Sequence, residues 1–135
     1  MTKILVFGTF DGLHEGHKDF FRQARQFGNK LIVVVGRDST VLRVKKRPPK
    51  FTEQERLKEV QECGLVDEAV LGNEGADPYK IIEQIKPDII CLGYDQTHFT
   101  DKLAVELPKR GLEKVKVERL KAYKPEIFKS SLLNK

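Results

Sequence analysis

The sequence predicts an α/β fold with a doubly wound, mostly parallel sheet of five strands. Segments that are apolar on successive residues alternate along the chain with segments whose apolar residues recur every three or four positions. The first pattern is typical of strands covered on both faces, as in a parallel sheet, and the second of amphipathic helices. Because the connections are short, the alternation favours consecutive βαβ units in one domain over residues 1–135.

The predicted strands are short apolar runs that end at glycine or at polar residues. The second run, with three consecutive valines before Gly36, is the strongest, and the last is predicted as an edge strand. The five predicted strands are 3–8, 30–36, 66–71, 87–93 and 115–118.

Two helices have distinct sequence signals. The first places Phe20, Phe21, Ala24 and Phe27 on one face and ends at Gly28. The second begins at a capping box, with Thr52 as the cap and Glu55 three residues later. Weaker helical patterns cover 39–44, 77–85 and 101–109, and a further helix is predicted to begin at 130.

Composition excludes several classes of protein. Hydrophobic residues make up 39% and charged residues 33% of the chain, as in a soluble globular domain. No apolar run approaches the roughly 18 residues of a membrane span. Because the chain enters a predicted strand at once, we expect no signal peptide and a cytoplasmic protein.

Cys63 and Cys91 lack metal-ligand spacing, so we expect reduced, structural thiols.

The net charge of +5 suits a protein that handles small polyanions, and it would also suit weak nucleic-acid contact. In a doubly wound sheet, ligands bind beyond the carboxyl ends of the strands, near the point where the strand order reverses. Four segments are expected to meet there: 8–11, 37–38, 93–96 and the loop before Ser130.

The junction after the first strand carries two histidines, His14 and His17, at the start of a helix, with glycines at positions 8, 12 and 16. The glycine spacing matches neither the dinucleotide fingerprint nor the Walker loop. Two imidazoles beside helix N–H groups could bind phosphate oxygens. The residues alone also allow a structural role, with one histidine as a helix cap and the other on the surface. A zinc site is not expected, because His98 is the only other histidine.

The segment Gly8-Thr9-Phe10-Asp11-x-x-His14-x-Gly16-His17 resembles the signature of the cytidylyltransferase-like nucleotidyltransferase superfamily. The resemblance implies a Rossmann-like nucleotidyltransferase fold and transfer of a nucleoside monophosphate from a triphosphate to a phosphorylated acceptor, with release of pyrophosphate. Glycerol-3-phosphate cytidylyltransferases have about this chain length and a similar order of segments along the chain. Residues 87–96 resemble more closely the archaeal-type FAD synthetases, which adenylylate FMN.

The resemblance also implies roles for residues of the first junction. His14 and His17 would contact the triphosphate and stabilise the α-phosphate. The pocket for the nucleotide would be lined by the backbone of Thr9 and Phe10, together with Gly8 and Gly16. Asp11 would lie near the acceptor or the metal, although an aspartate in a turn could equally be a loop cap.

A basic loop follows the second strand. By resemblance, Lys46 would reach the phosphates, and we expect Lys45 and Arg47 to help bind the acceptor, because binding residues collect in such loops. The alternative is a solvated basic loop without a role in binding.

The donor is expected to contact two later segments. Gly93, Tyr94 and Asp95 would lie at the base or ribose, but they do not distinguish adenine from cytosine. Lys124, Ser130 and Ser131 correspond to a family signature that has an arginine where Lys124 stands. Because lysine lacks the bidentate fork of arginine, this difference favours the FAD synthetases over the glycerol-phosphate enzymes.

The expected ligands follow from these assignments. They are ATP or CTP as donor, FMN or a phosphorylated alcohol as acceptor, and Mg2+ or another divalent cation bound mainly by the donor phosphates, with no protein metal site assigned. The resemblance implies a homodimer. A third hypothesis is a non-catalytic nucleotide- or RNA-binding relative, and it ranks last because His14 and His17 are intact and the loop 45–50 contains no aromatic residue before Phe51.

Overall fold

A computed structural model describes residues 2–73, 79–94, 96 and 102–121. Within these ranges the chain forms five strands and five helices in alternation. The strands are β1 (Lys3–Gly8), β2 (Lys30–Val35), β3 (Glu68–Leu71), β4 (Ile89–Leu92) and β5 (Lys116–Arg119). The helices are α1 (Glu15–Arg25), α2 (Asp38–Lys45), α3 (Glu53–Glu62), α4 (Lys80–Ile85) and α5 (Leu103–Lys109).

The five strands form one sheet in the order β3-β2-β1-β4-β5, and all its strand pairs are parallel. The chain therefore winds from β1 to one side as far as β3, crosses back, and winds to the other side through β4 and β5. This confirms the predicted doubly wound sheet. The strand order reverses beside β1, so the carboxyl end of β1 lies at the position where such sheets bind ligands.

Apolar clusters cover both faces of the sheet. Ile4 and Val6 of β1 belong to one cluster with Phe21 of α1 and Val60 of α3. Leu5 of β1 points to the opposite face, where a second cluster includes α4 and α5. The continuous apolar runs in the central strands are explained by this double burial, because alternate residues face opposite layers.

The element boundaries lie close to the predicted ones. The first helix ends at Arg25, earlier than the predicted Phe27, and β3 begins at Glu68 rather than Val66. The capping box of α3 is confirmed: the Glu55 N–H donates to Thr52 Oγ1 at 3.1 Å, and the Thr52 N–H donates to Glu55 Oε1 at 3.0 Å. The predicted helix starts at 77 and 130 lie outside the described residues.

Both cysteines are free thiols, as predicted. Cys91 is buried in β4, and burial, with a further contribution from the charge of Glu118, raises the pKa of its thiol to about 12. A thiol with so high a pKa is unreactive at neutral pH, because the thiolate is the reactive form.

In the described part of the chain, no helix is long and apolar enough to cross a membrane.

Arg56 of α3 is a fully buried charged residue that the sequence pattern did not single out. Its guanidinium donates to three backbone carbonyls, of Thr9 at 2.9 Å, Gly36 at 2.7 Å and Phe51 at 3.0 Å, and forms a 2.6 Å ion pair with Asp38. These bonds compensate the cost of burying a charge. One side chain thus joins the loops that follow β1 and β2 to the turn before α3.

We expect Arg56→Ala to lower the free energy of unfolding by roughly 3 kcal/mol or more, because it removes a large, fully buried side chain and the donor of three backbone carbonyls. The measurement is urea unfolding at neutral pH. Arg25→Ala is the matched control: Arg25 forms a 2.9 Å ion pair with Asp67, but that pair is exposed and should contribute about 1 kcal/mol or less. Equal losses in the two variants would contradict a special role for Arg56.

Candidate active site

The candidate site lies at the carboxyl end of β1, where the strand order reverses. Gly8 ends this strand, and its carbonyl accepts the Gly36 N–H at 2.9 Å, which closes the edge between β1 and β2. The chain then passes through residues 9–14 into α1. The Leu13 N–H donates to Glu59 of α3 at 2.9 Å, so this loop is attached to α3 as well as to the sheet.

His14 and His17 form one unit at the N-terminus of α1. His14 is the N-cap, and its Nδ1 accepts the Gly16 N–H at 3.0 Å. His17 Nδ1 accepts the His14 N–H at 3.3 Å. The two rings stack, with centroids 3.8 Å apart and an interplanar angle of 22°. The capping role that the residue types allowed for His14 is confirmed, but His17 is half-buried rather than a surface residue.

These hydrogen bonds assign the tautomer of both rings. A nitrogen that accepts an N–H cannot carry a proton, so each neutral imidazole has its proton on Nε2. Burial, together with the positive charges of His14 and Lys45, lowers the pKa of His17 to about 4. His17 is therefore neutral at physiological pH. Each ring is left with an Nε2–H donor that does not take part in capping the helix.

The side chain of Phe10 packs against His17 of the histidine pair. Its ring is 4% exposed and lies edge-on to the His17 ring at 5.3 Å and against Phe21 at 5.2 Å. Its backbone has φ of 52°, an uncommon conformation for a residue other than glycine. The ring folds back over Gly8, where a Cβ would approach Phe10 Cζ to 2.5 Å. Phe10 therefore positions His17 through its side chain, and contact with nucleotide through its backbone stays a prediction.

Gly16 is required by the orientation of His14. A Cβ on Gly16 would lie 2.8 Å from Cε1 and 3.0 Å from Nδ1 of the His14 ring. The bond from the Gly16 N–H brings the ring this close, so a side chain at position 16 would displace it. The need to avoid a clash with the His14 ring therefore explains why a glycine lies between the two histidines.

Asp11 holds the loop before α3. Its carboxylate accepts the Lys50 N–H at 2.7 Å and the Phe51 N–H at 2.9 Å. Burial opposes ionisation of Asp11, but these two hydrogen bonds, helped by the charges of Arg56 and Lys50, outweigh it and lower the pKa below its ordinary value. The loop-capping role, one of the two roles that the sequence allows, is thus what the structure shows. Contact with the acceptor stays a prediction.

Lys45, Lys46 and Arg47 are all exposed at the end of α2. Lys45 is the last residue of the helix, and its charge is close enough to lower the pKa of His17. Lys46 is the C-cap and adopts the left-handed conformation, with φ of 62°. Of the three, Lys45 has the closer electrostatic connection to the histidine pair, whereas the sequence favours Lys46.

Arg37 and Asp38, which the sequence also places at this edge, bind protein groups. Arg37 forms a 3.0 Å ion pair with Glu53 of α3 and donates to the Gly72 carbonyl at 2.8 Å. The carboxylate of Asp38 is the partner of Arg56. Both residues therefore attach the end of β2 to neighbouring elements.

The loop after β4 is held by Gln96, which belongs to the predicted segment 93–96, and by Arg119, which the sequence did not identify. Gln96 Oε1 accepts the Gly93 N–H at 3.1 Å, and Gln96 Nε2 donates to the Phe7 carbonyl at 3.3 Å. Arg119, at the end of β5, donates to the carbonyls of Gly93 at 2.7 Å and Gln96 at 2.8 Å. The sequence signal that could have identified Arg119 is its position, a cation at the carboxyl end of a predicted edge strand.

Tyr94 of this loop is 40% exposed, as expected for a residue available to a ligand. Four other predicted nucleotide contacts lie outside the described residues: Asp95, Lys124, Ser130 and Ser131.

The fold and the site together define a class of protein. A doubly wound parallel sheet carries, at its switch point, a helix N-terminus flanked by two imidazole N–H donors, which is an arrangement suited to binding and transferring phosphoryl groups. The sequence model of the cytidylyltransferase-like family matches residues 5–134. The chain belongs to this family and is a nucleotidyltransferase.

Named relatives extend this assignment. The chain is 50% identical over 126 residues to the FAD synthase of Methanobrevibacter smithii, covering 91% of this chain and 81% of the relative. It is 48% identical over 123 residues to the FAD synthase of Aciduliprofundum boonei, covering 91% and 80%. The crystal structure of the lipopolysaccharide core biosynthesis protein from Thermoplasma volcanium superimposes with a TM-score of 0.84 at 41% identity, over 91% of this chain and 98% of that one.

We expect Gly16→Ala to reduce turnover at least about tenfold, because the new methyl group displaces the His14 ring from its position. The free energy of unfolding should change by only about 1 kcal/mol or less, because the helix preference for alanine over glycine offsets the loss of the His14 cap bond. The measurements are initial rates and thermal unfolding. Gly72→Ala is the control, because a Cβ there would meet its nearest atom at an ordinary 3.4 Å, away from the histidines. A fully active Gly16→Ala enzyme would refute the steric argument.

The lowered pKa of His17 predicts a pH dependence of stability. Between about pH 6.5 and pH 4 the unfolded chain binds a proton at this position that the folded chain does not, so stability is lost as the pH falls through that window. Wild type should lose roughly 2 kcal/mol more than His17→Gln between pH 7 and pH 4, measured by urea unfolding. From pH 7 to pH 8 the two proteins should change in parallel. Parallel curves below pH 6.5 as well would show that His17 has an ordinary pKa.

Proposed function

We propose that this protein transfers the adenylyl group of ATP to the phosphate of FMN, forming FAD and releasing pyrophosphate. The stacked pair His14 and His17 carries the chemical part of the proposal, because both rings keep an Nε2–H donor at a helix N-terminus. The choice of substrates is supported by relatives at 44–50% identity that are named FAD synthases.

In the proposed reaction an oxygen of the FMN phosphate attacks the α-phosphorus of ATP in line. A new P–O bond forms while the bond from the α-phosphorus to the bridging oxygen of the β-phosphate breaks, and pyrophosphate leaves with that electron pair. No side-chain nucleophile is needed. No general base is needed either, because a phosphate monoester has lost most of its second proton at pH 7.

His14 and His17 would act as hydrogen-bond donors to the oxygens of the α-phosphate. Such donors accelerate the reaction if they are already oriented towards the charge of the transition state. The orientation is fixed here before any ligand binds, since each Nδ1 is held by a backbone N–H of the same turn. The neutral state of His17 suits a donor that keeps its proton throughout the reaction.

Lys45 is the proposed cation for the donor or acceptor phosphates, with Lys46 and Arg47 adding positive charge around it. This choice is supported by the effect of Lys45 on the pKa of His17. Asp11 would act indirectly, by fixing the backbone of Lys50 and Phe51.

The donor is proposed to enter with a divalent cation, Mg2+ or another, bound mainly to its phosphates. In the ranges that the structure describes, no group of three His, Cys, Asp or Glu side chains is arranged to hold a metal. Both oxygens of Asp11 already accept backbone N–H groups. Magnesium retains several waters and needs few protein ligands when phosphates coordinate it, so the phosphates of the donor are its proposed ligands.

The proposed partners are small molecules, and the cytoplasm is the proposed location. Free Cys63 and Cys91 fit a reducing compartment. The homodimer, and the expectation that nucleic acid is not a partner, stay predictions.

The experiment combines ATP or CTP with FMN or glycerol 3-phosphate and measures pyrophosphate release together with formation of the nucleotide product. We expect turnover only for ATP with FMN. The second candidate, a cytidylyltransferase acting on a small phosphorylated alcohol, is favoured by the family match and predicts turnover for CTP with glycerol 3-phosphate. Turnover of that pair alone would replace the proposed substrates.

The same assay tests the chemical role of the histidines. His14→Ala and His17→Ala should each reduce kcat by about 100-fold or more, as expected for the loss of one oriented transition-state donor. Because both side chains also cap α1, circular dichroism and thermal unfolding should accompany the rates. A folded variant with unchanged turnover would remove that histidine from the mechanism.

A further inference from the structure

Phe51 is a half-exposed aromatic residue beside the candidate site. Its side chain is 40% exposed, yet both of its backbone polar groups are fixed. Its N–H donates to Asp11 at 2.9 Å, and its carbonyl accepts Nε of the buried Arg56 at 3.0 Å. The ring therefore extends from a backbone that is anchored to the loop after β1.

Gly12 lets the Phe51 ring approach the loop that leads to His14. Gly12 has φ of 90°, and a Cβ built there would lie 3.5 Å from Cε2 of Phe51. The ring thus lies against the loop just before His14. No side chain at position 12 covers this part of the ring, because glycine is the residue that tolerates this backbone conformation.

Packing does not account for an apolar residue at position 51. Phe51 precedes the N-cap Thr52, where a hydrophobic residue often packs against the fourth residue of the helix. That fourth residue is Arg56, whose guanidinium is directed to carbonyls in the interior. Among the described residues, Phe51 belongs to neither of the two apolar clusters that cover the sheet.

The sheet order places a second exposed ring on the other side of the histidines. Tyr94 follows β4, which pairs with β1 on one side, whereas α3 and the turn at Phe51 pack on the side of β2 and β3. His14 and His17 follow β1, between these two positions. Phe51 and Tyr94 have the same exposed fraction, 40%. Two half-exposed aromatic rings thus flank the group that would bind the α-phosphate.

We propose that the ring of Phe51 stacks on the isoalloxazine ring of the acceptor and so selects a flavin. This inference rests on the proposed function, whose two substrates each carry a planar ring. The loop of Tyr94 is assigned to the base of the donor, which leaves the Phe51 side for the acceptor. The exposed cation Lys50 precedes Phe51, and Lys45 is nearby in the chain, so this side offers both an apolar surface and positive charge for the phosphate of FMN.

The experiment compares steady-state kinetics of wild type, Phe51→Ala and Phe51→Tyr with ATP and FMN. Aromatic stacking by one side chain predicts a KM for FMN about tenfold higher in Phe51→Ala. The KM for ATP and kcat should stay within about twofold of wild type, and Phe51→Tyr should restore the wild-type KM. Stacking also quenches flavin fluorescence, so titration of FMN should show less quenching with Phe51→Ala.

Phe27→Ala is the matched control. Phe27 is 38% exposed, but it follows α1 at the amino-terminal edge of the sheet, away from the histidines. Its replacement removes the same exposed apolar ring and should leave the KM for FMN unchanged. If Phe51→Ala does not fold, Phe51→Leu serves instead, because it keeps an apolar side chain and removes the aromatic face. Phe51→Leu should then show the raised KM that Phe51→Tyr does not.

The outcomes separate this inference from the proposed function. If wild type forms FAD and the KM for FMN is the same in Phe51→Ala or Phe51→Leu, the flavin does not stack on Phe51, and the proposed function stands. If wild type neither binds FMN nor forms FAD, the proposed function fails and the inference fails with it. A raised KM for ATP alone would assign Phe51 to the donor and overturn the inference.

Discussion

The buried guanidinium of Arg56 is the interaction on which the geometry of the site depends. Loops at the carboxyl edge of a parallel sheet have no ladder hydrogen bonds of their own, so their carbonyls need other donors. Arg56 supplies three such donors, to the loop after β1, the loop after β2 and the turn before α3. Removal of this side chain would affect the histidine pair and Phe51 together, although it need not contact a substrate. The half-buried Asp11 carboxylate fixes the same turn through two backbone N–H groups.

The histidine pair shows how one hydrogen-bond pattern can serve both folding and chemistry. A helix N-terminus leaves N–H groups without partners, and serine or aspartate usually satisfies them. Here two Nδ1 atoms do so, and the acceptor role of Nδ1 forces the proton onto Nε2. An aspartate cap would stabilise the helix equally well, but an ionised carboxylate only accepts hydrogen bonds and would present no donor to a ligand. The two histidines and Gly16 are therefore explained by one structural requirement: two rings that cap the same turn, stack on each other and keep their outer nitrogens free to donate.

Most of the fold was predictable because each signal was local. Apolar runs gave the central strands, and the Thr52–Glu55 box gave the start of α3 to the residue. The histidine pair was recognisable for the same reason, since its contacts span three residues. Arg56 and Arg119 were not predictable, because their partners lie far away in sequence and an arginine in a helix or at a strand end is usually solvated. The sequence also could not show which charge of the basic loop acts on His17, because this depends on where α2 ends, and Lys45 is the last residue of that helix.

The histidine pair and the two exposed rings, Phe51 and Tyr94, are held in place by different contacts, and this difference bears on how substrate specificity can arise. The histidines are held by bonds within their own turn and by the ring of Phe10, so the catalytic geometry does not depend on the identity of residues 51 or 94. Phe51 and Tyr94, by contrast, are held through backbone groups or surrounding loops and expose their rings. A side chain whose backbone alone is fixed can be replaced without loss of the loop conformation. On the proposed assignment of the two rings to the substrates, a change of substrate would require a change of ring on either side of the histidine pair, and a cytidylyltransferase-like fold could accommodate a flavin acceptor in this way.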